Sequence, residues 1–137
     1  MPNPLEFWLG RWDVTSPEGE FAGRNLIEEV LDGNAVLEHW DSEYGDGKSL
    51  FYAHAPSGEW RQVWIMANGS VKEKRIVEAP EGAVRFQGTV VRDGRELLDR
   101  TTLTPRADGS VRQLIEASDD GGETWTPTFD GVYRRTG

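Results

Sequence analysis

In this 137-residue chain, the strongest candidates for a chemical role lie on a strand-like segment, where alternate side chains share a face. In AVLEHWDSE, alternation separates Val36, Glu38 and Trp40 from Leu37, His39 and Asp41. Successive strand residues point to opposite faces, and we expect the set containing Glu38 to point inward because it brings an aromatic ring to an interior wall. An interior carboxylate needs a partner or a raised pKa, and Arg100 in LLDRTTLT is the expected partner.

A second segment, EWRQVWIM, places Trp60, Gln62, Trp64 and Met66 on one face. We expect that face to point inward, where two indole rings and one amide suit a planar ligand. Ordinary core packing around a satisfied amide is the competing interpretation. Three further inward residues are expected to complete a ligand site. The predicted ligand-binding residues are Glu38, Trp40, Phe51, Gln62, Trp64, Arg100, Gln113 and Ile115.

The sequence lacks the residues that several classes of reaction require. The chain has no cysteine, which excludes disulfides, thiolate zinc sites and cysteine nucleophiles. It has no G-x-S-x-G elbow, Walker loop or dinucleotide-binding glycine motif after a strand. His39 and His54 with Asp41 or Glu38 give no recognised metal-ligand spacing, so we predict neither a metal site nor a cofactor.

The charge balance limits the partners. A formal charge of −9 and a pI near 4.7 disfavour nucleic acid and anionic membranes, which need a concentrated basic face. Lys72, Lys74 and Arg75 alternate with Glu73 and Glu78, which predicts a solvated strand face. The start MPNPLEFWLG lacks the features of a secretory signal, and no stretch is long enough to span a membrane, so we expect a soluble, cytoplasmic protein.

Short strand-like segments separated by Asx-Gly and proline-containing turns run through the whole chain. The sequence indicates helix only at residues 4–9, as a turn or two. Residues 25–32 also fit a helical period, but flanking hairpin turns favour a strand. The ten predicted strands cover residues 11–16, 23–31, 35–43, 48–54, 59–66, 70–78, 83–91, 95–104, 110–118 and 124–134.

Such short turns connect adjacent antiparallel strands and favour an up-and-down meander. A flat ten-stranded sheet would expose two edges, whereas closure into a barrel removes them. We therefore predict an all-β fold: one domain over residues 1–137, forming a closed antiparallel barrel of about ten strands. Such a barrel is wider than the eight-stranded size that side chains fill, so a cavity is expected. A two-sheet sandwich is the main alternative.

The opening FWLGRWDV contains Gly10 and Trp12, and the chain finishes with GVYRR, which contains Arg134. This pattern resembles the calycin signature, which implies a Trp plug at the closed end of the barrel with Arg134 stacked over it. LEHW, GEWRQVW and the segment from residue 108 to 135 resemble small bacterial lipocalin-like proteins, a family with no agreed activity. Nitrobindins and fatty-acid-binding proteins are more distant comparisons. The haem-ligating histidine of nitrobindins, near the last strands, has no counterpart here.

Residues 118–125 match the Asp-box pattern S-x-D-x-G-x-T-W of sialidases and other propellers. Propellers carry several copies, and this chain carries one. We therefore expect the motif to fix a hairpin turn through its Ser118 and Asp120 side chains, with Trp125 folded over it.

These features favour a protein that binds an apolar or amphipathic small molecule inside a barrel. Two alternatives stay open at this point. One is an isomerase, cyclase or lyase that uses Glu38 as general acid or base. The other is an interaction module whose core is filled by its own side chains. The sequence leaves the oligomeric state open, with a homodimer through an outer strand face as the default expectation.

Overall fold

A computed structural model describes residues 2–136 and confirms an all-β barrel of ten strands. Residues 25–30 lie in a strand, as predicted, and the first helical turn falls within the predicted stretch, at Glu6–Trp8. A second 3-10 turn, Leu31–Gly33, follows the second strand. The strands are β1 Gly10–Thr15, β2 Phe21–Val30, β3 Ala35–Asp41, β4 Gly47–His54, β5 Glu59–Met66, β6 Val71–Val77, β7 Val84–Arg92, β8 Arg95–Pro105, β9 Val111–Ser118 and β10 Thr126–Arg135.

Every strand pairs antiparallel with its neighbours in sequence, and β1 pairs with β10 to close the barrel. Closure excludes the two-sheet sandwich. The turn chemistry explains the sequential pairing: at the β7–β8 hairpin, Asp93 and Gly94 both have positive φ, 53° and 74°. Two positive φ angles are the mark of a type I′ turn, whose twist matches that of the two strands it joins. No helix within residues 2–136 is long and apolar enough to cross a membrane.

The two ends of the barrel differ. The closed end carries the N-terminal segment, and the apolar core fills this half of the interior. Trp8 packs edge-on against Phe51 at 5.5 Å between ring centroids and lies 5.8 Å from Tyr133. The open end carries the connections at residues 16–20, 42–46, 67–70, 93–94 and 119–125. The buried core residues are Leu5, Trp8, Trp12, Val14, Ile27, Val36, Phe51, Trp60, Phe86, Leu103, Val111 and Tyr133.

Trp12 plugs the closed end, but its cationic partner is Arg135 and not the predicted Arg134. The Arg135 Cζ atom lies 4.2 Å from the centre of the Trp12 ring, and its guanidinium donates to the carbonyl oxygens of Leu9 at 2.7 Å and Phe7 at 3.1 Å. The register explains the correction, because Trp12 pairs with Arg135 and Arg134 falls opposite Asp13 on the other face. Gly10 has a φ of 130°, which side-chain-bearing residues rarely adopt, and a Cβ there would also meet the Arg135 guanidinium.

We expect Arg135→Ala to lower the free energy of unfolding by about 1 kcal/mol, the contribution of a cation–π contact and two exposed hydrogen bonds. Arg134→Ala removes the same side chain one position earlier and serves as the matched control, with a change below about 0.5 kcal/mol. Urea denaturation of both variants measures the difference. Equal losses in the two variants would show that Arg135 is not the residue that secures the plug.

Candidate functional site

The open half of the barrel holds a cavity of about 580 Å³, within the size range of sites for small organic ligands. Its upper wall is mainly aromatic and aliphatic. Trp40 and Phe129 meet edge to face, 5.9 Å between ring centroids. The main apolar lining residues are Phe21, Trp40, Trp64, Met66, Ile115 and Phe129.

Two glycines allow the indole rings of the cavity to lie against the barrel wall. A Cβ on Gly23 would lie 2.8 Å from the Trp40 ring, and one on Gly47 would overlap the Trp64 ring. Each glycine lies on the strand next to its tryptophan's strand. The rings therefore occupy space that other residues would fill, and the centre of the open half stays free.

Six of the eight predicted ligand-binding residues line this cavity: Glu38, Trp40, Gln62, Trp64, Gln113 and Ile115. The predicted inward faces of β3 and β5 are therefore confirmed. The other face of β3 points outward, where His39 contacts Glu28 at 2.7 Å and Lys48 at 3.2 Å.

Phe51 and Arg100 do not line the cavity. Phe51 does point inward, but it lies deeper, in the filled half, packed against Trp8 and Phe86. Arg100 points outward, where its Nε donates to Glu116 at 3.0 Å and its guanidinium stacks 3.8 Å above Trp125. The inward parity of β8 belongs to the neighbouring Asp99 and Thr101, so Arg100 is not the partner of Glu38.

A belt of polar side chains separates the cavity from the apolar core. We call it the polar belt, and it crosses eight of the ten strands. It divides into a network around Glu38 and an ion cluster around Asp99. Its members are Asn25, Glu38, Ser49, Gln62, Lys72, Lys74, Asp99, Thr101, Gln113 and Tyr133.

Glu38 is the centre of the first network and is only 3% exposed. Asn25 Nδ2 donates to Glu38 Oε2 at 2.7 Å and lies 2.9 Å from Tyr133 Oη. The Tyr133 hydroxyl donates in turn to Gln113 Oε1 at 2.8 Å. Ser49 is paired with Glu38 across the strands and accepts from Gln62 Nε2 at 3.1 Å. The network thus holds the polar groups of the cavity floor in fixed orientations.

Burial raises the pKa of Glu38 above its usual value, and the hydrogen bonds from Asn25 and Ser49 only partly offset this effect. Burial likewise raises the pKa of Tyr133 well above 10.0, with a further contribution from the nearby Glu38 charge. Glu38 therefore keeps its proton to a higher pH than a surface glutamate does. A carboxyl group with a raised pKa in a cavity has the properties of a general acid or base.

The raised pKa of Glu38 predicts a pH-dependent difference between the wild type and Glu38→Gln. A carboxyl group whose pKa is higher in the folded than in the unfolded state stabilises the fold while it is protonated, and this contribution is lost as pH rises through the folded-state pKa. We therefore expect Glu38→Gln to gain stability relative to the wild type as pH increases above about 4.5, the unfolded value. Urea denaturation at a series of pH values measures the difference. A difference that does not vary with pH would contradict the shift.

Asp99 is the centre of the ion cluster and is fully buried. Lys74 Nζ lies 2.6 Å from Asp99 Oδ1 and donates to Thr101 Oγ1 at 2.8 Å, while Lys72 Nζ donates to Asp99 Oδ2 at 2.8 Å. Burial alone would raise the pKa of Asp99, but the two ammonium groups outweigh it and lower that pKa. Burial lowers the pKa of Lys74, with partial compensation from Asp99.

This cluster corrects the prediction of a solvated strand face at β6. Lys72 and Lys74 have the inward parity, while Glu73 and Arg75 point outward. The lysines reach past β7 to Asp99 on β8, and β7 presents Gly88 at this level, paired with Asp99. A Cβ on Gly88 would overlap the Glu73 carbonyl oxygen.

Sequence reasoning missed this cluster and also Asn25, Ser49 and Tyr133. The sequence offered one signal: Lys72 and Lys74 share one face of a strand, and Asp99 and Thr101 share one face of another. Tyr133 lies two residues before Arg135, so the register that places Arg135 over Trp12 also points Tyr133 into the barrel. Nothing local in the sequence marks it as a hydrogen-bonding residue of the belt.

The Asp-box segment forms the predicted hairpin turn. Asp120 Oδ1 accepts from Ser118 Oγ at 2.7 Å and from the Thr124 backbone N–H at 2.9 Å, and Trp125 Nε1 donates to the Gly122 carbonyl at 3.0 Å. Hydrogen bonds from Thr124 and Ser118 lower the pKa of Asp120 to about 2. The motif therefore has a structural role here, and its tryptophan also supports Arg100.

The histidines lie apart from one another on the outer surface, with His54 Nδ1 2.7 Å from Ser57 Oγ. Across residues 2–136, the structure contains no group of three His, Asp or Glu side chains arranged to hold a metal ion. Comparison with known proteins gives no match, either to a protein-family model or to a curated protein. The fold and the site define a closed ten-stranded antiparallel barrel with a filled half and a hollow half.

Proposed function

We propose that this barrel binds one small apolar or amphipathic organic molecule in its open half, as a calycin-like binding protein. The observation that carries the proposal is the cavity of about 580 Å³ with an aromatic upper wall and a polar floor. Such a combination is typical of ligand sites, where apolar walls supply affinity and a few placed polar groups supply orientation. The same cavity argues against the alternative of a core filled throughout by side chains.

The polar floor is organised before any ligand arrives. Glu38 is held by Asn25, and Gln62 is held by Ser49. Gln113 is held by Tyr133. Side chains that are already fixed lose little conformational entropy when a ligand binds, so more of the interaction energy remains as affinity.

A neutral fluorescent probe tests the proposal. N-phenyl-1-naphthylamine, whose emission rises in apolar surroundings, is expected to bind saturably with one molecule per chain. Ile115→Trp places an indole inside the cavity and is expected to weaken binding about tenfold, by steric conflict with the probe. Leu114→Trp adds the same ring one residue earlier, on the outer face of β9, and is the matched control.

Unchanged binding in Ile115→Trp, or an equal loss in both variants, would contradict a site in the open half.

Native mass spectrometry of the protein from its own host would identify the physiological ligand as an added mass, and would count the subunits. The expected homodimer through an outer strand face is tested by the same spectrum.

An enzyme of the same shape is a second candidate, favoured by one observation: a buried carboxyl group with a raised pKa lies in the cavity floor. Glu38 would then serve as general acid or base in an isomerisation, cyclisation or lyase step. With a ligand identified, Glu38→Gln separates the two functions. Loss of turnover with binding retained would support catalysis, and unchanged turnover would exclude this role for Glu38.

A further inference from the structure

The charged residues in the connections around the open end of the barrel are all acidic. The connections contain eight carboxylates and no lysine, arginine or histidine. Clefts lined by one sign of charge concentrate ligands of the opposite sign and repel those of the same sign. Two cationic residues lie at the adjoining strand ends: Arg95 is 3.3 Å from Asp119, and Arg92 lines the cavity mouth. The eight carboxylates are Glu18, Glu20, Glu43, Asp46, Asp93, Asp119, Asp120 and Glu123.

Gln62, on the floor of the cavity, carries a buried acceptor with no donor. Gln62 is 5% exposed, and its Oε1 atom accepts no hydrogen bond from any residue between 2 and 136. The orientation of its amide follows from its Nε2 atom, which donates to Ser49 Oγ at 3.1 Å. This bond leaves Gln62 Oε1 as the free group of the amide. A buried acceptor without a donor is unfavourable, and a ligand that donates to it removes the penalty.

The two interior lysines are already paired with Asp99. Lys72 and Lys74 both contact Asp99, and Lys74 also donates to Thr101. An anionic ligand would have to compete with Asp99 for these ammonium groups. It would also approach Glu38 on the same floor and pass the acidic open end.

On the basis of the proposed function, we infer that the ligand is a planar aromatic molecule, neutral or cationic, that donates an N–H or O–H hydrogen bond to Gln62 Oε1. Trp40, Trp64 and Phe129 supply ring faces and edges for stacking, and a cation gains further attraction from them. A ligand with hydrogen-bond donors matches the cavity floor, which offers the Gln62 oxygen and the Glu38 carboxyl as hydrogen-bonding groups. Aromatic amines and amides fit this description, and aromatic carboxylates do not.

Four probes that share one ring test the inference: 2-naphthamide, 2-naphthylmethylamine, 2-acetonaphthone and 2-naphthoate. The amide and the ammonium donate hydrogen bonds, the ketone only accepts, and the carboxylate is an anion. In calorimetric titrations at low salt we expect the two donors to bind about tenfold more tightly than the ketone, and the carboxylate to bind most weakly. Added salt should reduce the advantage of the ammonium over the carboxylate.

Gln62→Met keeps the side-chain volume and removes the acceptor. We expect it to weaken 2-naphthamide about tenfold more than 2-acetonaphthone, so that the ketone measures any general change in the variant's cavity. Gln87→Met, on the outer face of β7, is the matched control and should change neither affinity.

Four outcomes would overturn the inference. Tightest binding of 2-naphthoate, or equal binding of the amide and the ketone, would do so while leaving a ligand-binding cavity in place. A variant Gln62→Met that keeps full affinity for 2-naphthamide would remove Gln62 as the acceptor. Absence of binding by all four probes would overturn the proposed function together with the inference.

Discussion

Asp99→Asn is expected to lower the free energy of unfolding by about 3–5 kcal/mol, the usual loss when one partner of a buried ion pair is removed. The variant leaves Lys74 buried beside a neutral amide, and Lys72 loses the same partner. An uncompensated ammonium in the interior must deprotonate or draw water into the belt. Urea denaturation followed by circular dichroism measures the loss.

Glu116→Gln is the matched control for Asp99→Asn. It also removes a carboxylate from a strand-to-strand ion pair, but the pair with Arg100 lies on the outer face, so we expect a loss of about 1 kcal/mol or less. The double variant Asp99→Asn with Lys74→Met should recover part of the stability, because it removes the unpaired charge. A loss of less than about 1 kcal/mol in Asp99→Asn would show that the cluster does not support the fold.

Trp12→Ala is expected to lower the free energy of unfolding by about 3–5 kcal/mol, because it removes a whole indole ring from a filled core. Trp12 is 1% exposed, donates to the Trp8 carbonyl at 2.8 Å and supports Arg135. Its loss would leave a cavity that the rigid barrel closes only in part. Thermal or urea unfolding measures the effect.

Trp64→Ala removes the same side chain from the cavity wall and is the comparison for Trp12→Ala. Trp64 already borders open space, so its truncation should cost less stability than that of Trp12. It should instead weaken the binding of N-phenyl-1-naphthylamine, since the probe loses a ring to stack on. Equal destabilisation by the two variants would contradict the division of the barrel into a filled and a hollow half.

The strand number and the sequential pairing were predictable because they depend on local signals. Hairpin turns such as Asp93-Gly94 impose their geometry within a few residues. Alternation in β3 and β5 set the inward parity of Glu38 and Gln62 correctly, because aromatic residues shared that parity. Closure itself followed from the cost of two exposed edges.

The errors arise where long-range register or depth decides the outcome. Arg134 and Arg135 are adjacent arginines, and only the pairing of β1 with β10 selects between them. The segment LLDRTTLT has polar residues on both parities, so the choice between Asp99 and Arg100 was open. Phe51 has the correct parity but lies in the filled half, and parity carries no information on depth along a strand.

The lysines of β6 illustrate a further limit. Two lysines that alternate with glutamate on one strand are usually a solvated face. Their burial here depends on Asp99, which lies on β8 and is separated from β6 by the glycine-bearing strand β7. Such a partner becomes visible only once the strand order and the position of Gly88 are known.

The indole N–H signals of the six tryptophans test the central claim most directly. In ¹⁵N-labelled protein titrated with 2-naphthamide, we predict saturable shifts of the Trp40 and Trp64 signals, since these rings line the cavity. The signals of Trp8 and Trp12 at the closed end, and of Trp125 on the outer hairpin, should stay in place. Shifts confined to Trp125, or to the closed-end tryptophans, would contradict a binding site in the open half of the barrel.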